Sequence, residues 1–186
     1  HRDGAFTEHS SNFARTLYAA PNRLTGHRLV KLDLPGAGPM RSPGEASGTL
    51  SLECAMDELA ETLGIDPVEL RIRNEPPTDP ENGRPFSQRQ LVRCLKEGAQ
   101  LFGWDRRLPK PGQTRDGRWL VGMGMAAAIR GNFLLPAKCN FSVDADGVIT
   151  VRQGMTDIGT GSYTVLAQIA AETLGVPLGQ VRVEIG

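Results

Sequence analysis

Apolar residues between positions 52 and 63 recur every three or four residues, and this spacing predicts an amphipathic helix. Gly64 follows the last of them and supplies a C-terminal stop. A short second helix is predicted from Asp66 to about Asn74, because Asp66 suits the N-cap and Pro67 the first turn. Glu69 completes the capping-box pattern of this second helix. The apolar positions of the first helix are Leu52, Ala55, Met56, Leu59 and Leu63.

A third helix is predicted between Ser87 and Gly103. Ser87 has the side chain of an N-cap residue, and Gln90 follows at the capping-box spacing. The proline-rich residues 75–80 before it are predicted to form a rigid connector. The apolar face of this helix consists of Leu91, Cys94, Leu95 and Leu101.

The second half of the chain has the alternating pattern of strands, broken by one more helix. Asp146 and Gly147 predict the turn of a β-hairpin. A glycine-rich loop, residues 154–161, precedes a helix predicted from Ser162 to Leu174, which Gly175 ends. Residues 11–18 are predicted to be a strand end or a short turn. The predicted strands are Leu29–Leu34, Trp119–Ile129, Asn140–Asp144, Val148–Val151 and Val181–Ile185.

These elements predict an α+β fold in two parts. The pattern changes from helices to strands across the segment that begins Leu108-Pro109-Lys110-Pro111-Gly112, which is predicted to be a linker. We therefore place one part at residues 1–107, the linker at 108–118 and the second part at 119–186. The abrupt start at His1 and the strand pattern that runs to the last residue lead us to expect a piece of a longer polypeptide.

Composition removes several classes of function. The 21 basic residues balance the 21 acidic residues, so the electrostatic footprint of a nucleic-acid-binding protein is absent. No apolar run approaches the length of about 20 residues that a membrane span needs. Cys54, Cys94 and Cys139 lie far apart, which argues against an iron–sulfur or zinc cluster and favours buried free thiols.

Two loops are the candidates for chemistry. Arg41 lies among prolines and glycines directly before the first long helix, an arrangement that can present backbone amides to a bulky polar cofactor. Gly159 and Gly161 precede a helix and can hold a phosphate in the same way, although they match neither a Walker A loop nor a Rossmann fingerprint. From spacing alone, a solvated Arg41 and a simple tight turn at the glycines remain the alternatives.

Other reactive residues are interpreted as structural. His1, His9 and His27 have no metal-ligand spacing, so no metal site formed by side chains is predicted. Glu45 is interpreted as a residue that caps the coming helix rather than as a general base. The acidic residues Asp57, Glu58 and Glu61 are interpreted as a solvated helix face.

Several longer motifs resemble those of one enzyme family. The chain is similar, over nearly its whole length, to the large molybdenum-binding subunit of the xanthine dehydrogenase / aldehyde oxidase family. The likeness is closest to bacterial aldehyde dehydrogenases built from three subunits. The segments that carry it, in matching order and spacing, are Met40–Ala46, Leu52–Ala60, Gly64–Asn74, Thr156–Gly161 and Gln168–Gly175.

The resemblance implies a molybdenum hydroxylase that oxidises aldehydes or N-heterocycles with oxygen taken from water. It implies a molybdopterin cofactor, expected in the cytosine dinucleotide form, whose dithiolene carries the metal without a protein side chain. The position of Arg41 is the one whose backbone amide faces molybdenum in this family. Gly159, Thr160 and Gly161 match the loop that holds the pterin or its phosphate. Pro43 matches a position that lines the substrate funnel, where xanthine oxidases carry an aromatic residue.

The resemblance also implies what lies outside these residues. The catalytic glutamate of the family lies in a Gly-Glu pair near the far C-terminus of the full subunit, so we expect no catalytic residue here and an inactive fragment. Molybdopterin is expected to be lost when the fragment stands alone. An iron–sulfur subunit and an FAD subunit are the implied partners. The carbon monoxide dehydrogenase branch is disfavoured, because no cysteine lies between Arg41 and Gly48.

A second hypothesis stays open beside this one. Under this second hypothesis, the chain is a non-enzymatic interaction module, whose glycine loops are only turns and whose helices dock a partner chain. The compartment, cytoplasm or periplasm, is also open.

Overall fold

The computed structural model describes residues 7–30, 32–35, 38–131 and 135–186 of the chain. It has the predicted α+β character, with helices and two small sheets. The chain divides into two compact units, residues 1–131 and residues 132–186. The predicted boundaries at 107 and 118 concern domains of a longer subunit, and they stay a prediction.

The first unit contains four helices and a small hairpin among its described residues. A 3₁₀ turn, Trp104–Arg106, follows the last helix. The hairpin pairs Arg115 with Leu120 and Asp116 with Trp119 in antiparallel register. The elements are α1 Asn12–Thr16, α2 Glu45–Leu63, α3 Pro67–Arg73, α4 Leu91–Phe102, β1 Arg115–Asp116 and β2 Trp119–Leu120.

The predicted helix boundaries around residue 65 are confirmed. Gly64 has φ 64°, a left-handed conformation that glycine adopts without steric cost, and it ends α2. The carboxylate of Asp66 caps α3 by accepting hydrogen bonds from the main-chain N–H groups of Val68 at 2.8 Å and Glu69 at 3.2 Å. Its second oxygen accepts a hydrogen bond from the indole N–H of Trp104 at 2.8 Å. Asp66 thus joins α3 to the turn after α4.

Two predictions about helices are wrong. Helix α4 begins at Leu91 after Gln90, so Ser87 does not cap it, and Cys94 and Leu101 are exposed rather than part of a buried face. Residues 11–18 contain the short helix α1, where a strand end or a short turn was predicted. The main-chain N–H of Asn12 bonds to the carbonyl of His9 at the start of α1, a local contact that apolar periodicity does not report.

Two strand predictions in the first unit are also wrong. The described residues of 29–34 form no strand, and Lys31 lies outside the described residues. Of 119–129, only Trp119 and Leu120 pair as a strand, and both are exposed. A strand needs a neighbouring backbone for its hydrogen bonds. The N–H of Ala127 instead bonds to the carboxylate of Glu53 at 2.8 Å, so this segment packs along a helix.

The second unit confirms its predicted order of strands and helix. A three-stranded sheet has the order β3-β4-β5, with β3 and β4 antiparallel and β4 and β5 parallel. Gly147 has φ 78° in the hairpin turn, as the Asp-Gly pair predicts. Helix α5 connects the parallel strands and packs Ala170 against Ile149 and Val151. The elements are β3 Asn140–Val143, β4 Ile149–Gln153, α5 Ser162–Leu174 and β5 Val181–Ile185.

The core of the first unit is small. Leu17, Tyr18 and Ala127 are buried together, and Leu52, Met56, Leu91 and Ile129 pack against them at partial burial.

In the described part of the chain, no helix combines the length and apolar character that crossing a membrane would require.

Candidate functional site

The first predicted loop is a tight structure at the start of α2. Arg41 is exposed and Pro43 is half-buried, whereas Gly44 is buried. The carbonyl of Ser42 accepts hydrogen bonds from the N–H groups of Glu45 and Ala46, both at 3.1 Å. Gly44 is the N-cap of α2 with φ 80° and contributes no side-chain cap. The loop therefore enters the helix with Arg41 at its outer end.

Glu45 differs in part from its interpretation as a capping residue. It is the first residue of α2, where a carboxylate interacts favourably with the helix dipole. No side chain caps the helix, however, and the Glu45 carboxylate forms an ion pair with Arg130. This pair and the bond from Ala127 to Glu53 hold the segment before residue 131 along α2 at two points.

The second predicted loop, in the other unit, has a more closed backbone than its sequence indicates. One carboxylate oxygen of Asp157 accepts hydrogen bonds from the N–H groups of Gly159 at 2.8 Å and Thr160 at 3.1 Å. Those two donors are therefore engaged within the loop. The hydroxyl oxygens of Thr160 and Ser162 lie 3.2 Å apart. A ligand at this loop can meet these hydroxyls and the main-chain N–H groups in the first turn of α5.

The start of α5 fits an anionic group. Gly161 is its N-cap with φ 77°, and no side chain caps the helix. A Cβ built on Gly161 would meet nothing within 4 Å, so the approach to the helix end is open. Both predicted loops thus lead into helices whose N-caps are glycines without a side-chain acceptor. At α2 the Ser42 carbonyl already accepts from the N–H groups of Glu45 and Ala46, so the helix end that favours phosphate or another anion is that of α5.

A buried charged cluster, which the sequence interpretation missed, lies between α2 and α3. Glu53 is 4% exposed and Arg71 is completely buried. The two Glu53 carboxylate oxygens accept hydrogen bonds from the Tyr18 hydroxyl at 2.6 Å, the Arg71 Nε at 2.8 Å and the Ala127 N–H at 2.8 Å. Arg71 also contacts the Asp57 carboxylate at 2.9 Å. The cluster joins α2, α3, the end of α1 and the segment around Ala127.

The cluster changes the acid–base properties of its members. Burial raises the pKa of the Tyr18 hydroxyl far above its ordinary value, and the hydrogen bond and negative charge of Glu53 add to the effect. Burial alone would lower the pKa of Arg71, but its bond to Glu53 and the attraction of that charge outweigh burial and raise it. Tyr18 stays neutral and Arg71 stays charged, so the cluster is a charge-paired structural core.

A signal for this cluster is present in the sequence. Glu53, Met56 and Ala60 follow the three-and-four spacing of one helix face, and the face is the buried one. A carboxylate on that face requires a buried partner. Asp57 is likewise not simply solvated as predicted, because it is half-buried against Arg71, whereas Glu58 and Glu61 are exposed as expected.

All three cysteines are exposed, so the prediction of buried thiols is wrong. The helical spacing that placed Cys94 on an apolar face does not identify which face is covered. The described residues contain no cluster of three His, Cys, Asp or Glu side chains suited to a metal ion.

Comparison with known protein families identifies both halves of the chain. Two models described as "Molybdopterin cofactor-binding domain" match, one over residues 2–75 and the other over residues 97–186. The chain is therefore built from molybdopterin-binding domains. It belongs to the xanthine dehydrogenase / aldehyde oxidase family of oxidoreductases, as part of a molybdenum-binding subunit.

Curated relatives in Escherichia coli K12 agree with this assignment. The chain is 54% identical over 184 residues to the aldehyde oxidoreductase molybdenum-binding subunit PaoC. This alignment covers 98% of the chain and 25% of PaoC. It is 33% identical over 195 residues to the putative xanthine dehydrogenase molybdenum-binding subunit XdhA, covering 97% of the chain and 26% of XdhA. The chain thus spans about a quarter of the length of these relatives.

Solved structures share the fold. An aldehyde oxidoreductase from Desulfovibrio desulfuricans ATCC 27774 aligns with a TM-score of 0.55 at 23% identity, over 78% of the chain and 17% of that protein. Quinoline 2-oxidoreductase from Pseudomonas putida 86 aligns with a TM-score of 0.53 at 20% identity, over 77% of the chain and 20% of that protein. These likenesses support the fold alone.

Proposed function

We propose that this chain is part of a molybdenum hydroxylase subunit that oxidises aldehydes with oxygen derived from water. The observation that carries the proposal is the identity of 54% with PaoC, an aldehyde oxidoreductase subunit, across 98% of the chain. The identity with XdhA, a putative xanthine dehydrogenase subunit, is lower at 33%, which favours aldehydes over N-heterocycles.

The two loops receive separate roles in this proposal. The backbone at Arg41 faces the molybdenum, which the pterin supplies as the oxidising centre. Pro43, at the outer half-buried part of the same loop, lines the path of the substrate. Thr160, Gly161 and the uncapped start of α5 hold the pterin or its phosphate, and Asp157 keeps the turn at Gly159 in shape.

The same likeness supports a proposal for the form of the cofactor and for the partner subunits. We propose the cytosine dinucleotide form of molybdopterin, and an iron–sulfur subunit and an FAD subunit as the electron-accepting partners. The general base is supplied from outside this chain.

Substitution of the glycine loop tests the proposal in the full-length subunit. Gly161→Val and Gly159→Val place a β-branched residue where φ is 77° and 88°. Gly147→Val is the matched control, because Gly147 has φ 78° in the hairpin turn of the same unit and the space around it is also open. We expect the two loop variants to lose bound pterin, measured by fluorescence after oxidation, and the control to keep it.

Equal pterin content in all folded variants would contradict the proposal. That result would favour the second hypothesis, an interaction module whose glycine loops are turns. Metal analysis of the purified 186-residue chain gives a further check. We expect it to lack stoichiometric molybdenum, because each loop alone offers few contacts to the cofactor.

A further inference from the structure

The loop that carries Arg41 contains a strained residue. Ser42 has φ 56°, and among the described residues it is the one non-glycine residue with positive φ. Residues with a Cβ rarely adopt this left-handed conformation. It persists where the surrounding structure enforces it, and such strain is concentrated at functional sites.

A close crossing of two backbone segments lies directly behind the loop. Residues 9 and 10 pass over the first turn of α2 at Gly44 and Gly48, which are four residues apart and lie on one side of the helix. A Cβ on Gly44 would lie 2.6 Å from the main-chain nitrogen of His9. A Cβ on Gly48 would overlap the carbonyl oxygen of Ser10. No side chain larger than hydrogen fits at either position without moving backbone.

Polar contacts hold the same crossing. The hydroxyl of Ser47 donates a hydrogen bond to the Glu8 carboxylate at 3.1 Å, and it lies 3.2 Å from the hydroxyl of Ser10. These contacts are exposed, so each is weak alone. Together with the two glycines they attach residues 8–10 to the first turn of α2, immediately after Ser42 and Pro43.

We propose that Gly48, with Gly44, is a positioning residue for the Arg41 loop: the backbone crossing that it permits sets the main-chain direction at Arg41 toward the molybdenum centre. This inference rests on the proposed function. Residues 8–10 act through α2, because they contact its first turn rather than the loop itself. Any shift of that turn displaces Gly44 and, through Pro43, rotates the strained Ser42.

The test uses the full-length subunit assembled with its partners and loaded with cofactor. Gly48→Ala adds one methyl group at the crossing, and Gly98→Ala is the matched control within a helix. Gly98 lies inside α4, where a Cβ would meet nothing within 4 Å. The measurements are pterin and molybdenum content, the EPR spectrum of Mo(V), and kcat and KM for an aldehyde, expressed per bound molybdenum.

We expect Gly48→Ala to change the Mo(V) spectrum and to lower kcat per molybdenum by up to about 100-fold, the loss that a misplacement of about 1 Å can cause. Gly98→Ala should match the wild type in both. A purely structural role would reduce the melting temperature of Gly48→Ala while leaving the spectrum and kcat per molybdenum unchanged. That outcome would overturn the positioning role.

Ser47→Ala decides the question if Gly48→Ala is not recovered in folded form. It removes the hydroxyl that contacts Glu8 and Ser10 and leaves the glycines in place. We expect a smaller change of the Mo(V) spectrum, and a spectrum identical to that of the wild type would overturn the positioning role. A wild-type subunit that carries no pterin would instead refute the proposed function itself, and the two failures are therefore distinguishable.

Discussion

At the scale of single residues, the Glu53 carboxylate organises the first unit. It accepts hydrogen bonds from Tyr18, Arg71 and Ala127, which come from three different parts of the chain. Burying one charge is costly unless it is paired and hydrogen-bonded, and every contact of Glu53 meets that need. The cluster therefore specifies where α1, α3 and residue 127 lie along α2.

Removal of the Arg71 side chain should be severely destabilising. Arg71→Ala leaves the buried Glu53 carboxylate without its cation, and the free energy of unfolding should fall by about 3–5 kcal/mol. Arg73→Ala, two residues further along α3, removes an exposed pair with Glu69 and should cost at most about 0.5 kcal/mol. Urea denaturation of the two variants checks this. Similar losses in both would show that the cluster is not a structural centre.

Tyr18 should make the free energy of unfolding fall as the pH rises into the alkaline range. Its pKa is raised in the folded protein by burial and by Glu53, so the folded state keeps a proton that the unfolded state loses above pH about 10. Stability is therefore fully present below that pH and falls as pH rises beyond it, by up to about 1.4 kcal/mol per pH unit.

Tyr18→Phe should flatten this decline, although it also removes the hydrogen bond to Glu53 and is less stable at neutral pH. Tyr163→Phe is the control, because Tyr163 is 48% exposed. Thermal melting of the three proteins between about pH 9 and pH 11 measures the slope on either side of the ordinary tyrosine pKa. An unchanged slope in Tyr18→Phe would contradict the account.

At the scale of elements, the sequence predicted where helices end better than it predicted which faces are buried and which strands pair. Glycines at 64, 103 and 175 end three helices, since their left-handed conformation is a local property that the residue type reveals. The strand predicted over 119–129 failed because pairing depends on a distant backbone, and apolar residues alone do not identify one. The Glu53 cluster was missed because the buried face of α2 was assigned from its apolar residues alone, and Glu53 lies on that face.

The same limit applies to the candidate loops. Their positions before two helices were correctly predicted, because α2 and α5 begin directly after them. The strain at Ser42 and the closure of the second loop by Asp157 depend on three-dimensional contacts that glycine spacing does not encode. The roles of Arg41, Pro43, Gly159, Thr160 and Gly161 stay predictions.

Helix α3 should depend on Asp66 more than on any other polar residue at its start. Asp66→Ala removes the cap and the bond to Trp104, and we expect a loss of about 2 kcal/mol, roughly 1 from each. Asp66→Asn keeps an acceptor for the cap and should lose less. Denaturant titration followed by circular dichroism compares them. Equal stability of Asp66→Ala and wild type would refute the assigned role.

At the scale of the whole molecule, the chain corresponds to one part of the length of its relatives. It spans about a quarter of its curated relatives, and its two units each contribute one candidate loop. We propose, as the central claim, that the loop at Arg41 and the loop at Gly159–Gly161 bind one and the same pterin in the complete subunit. The loop at Gly159–Gly161 leads into a helix whose uncapped N-terminus is suited to an anionic ligand, whereas the first N–H groups of α2 bond to the Ser42 carbonyl.

The most direct test is an experimental structure of the full-length, cofactor-loaded subunit with its partners. The account predicts that the Arg41 main chain and the Thr160–Gly161 segment both contact the same molybdopterin, with Arg41 at the metal end and residues 160–161 at the pterin or its phosphate. A structure in which the two loops lie on opposite sides of the subunit, or in which only one of them contacts the cofactor, would contradict the claim.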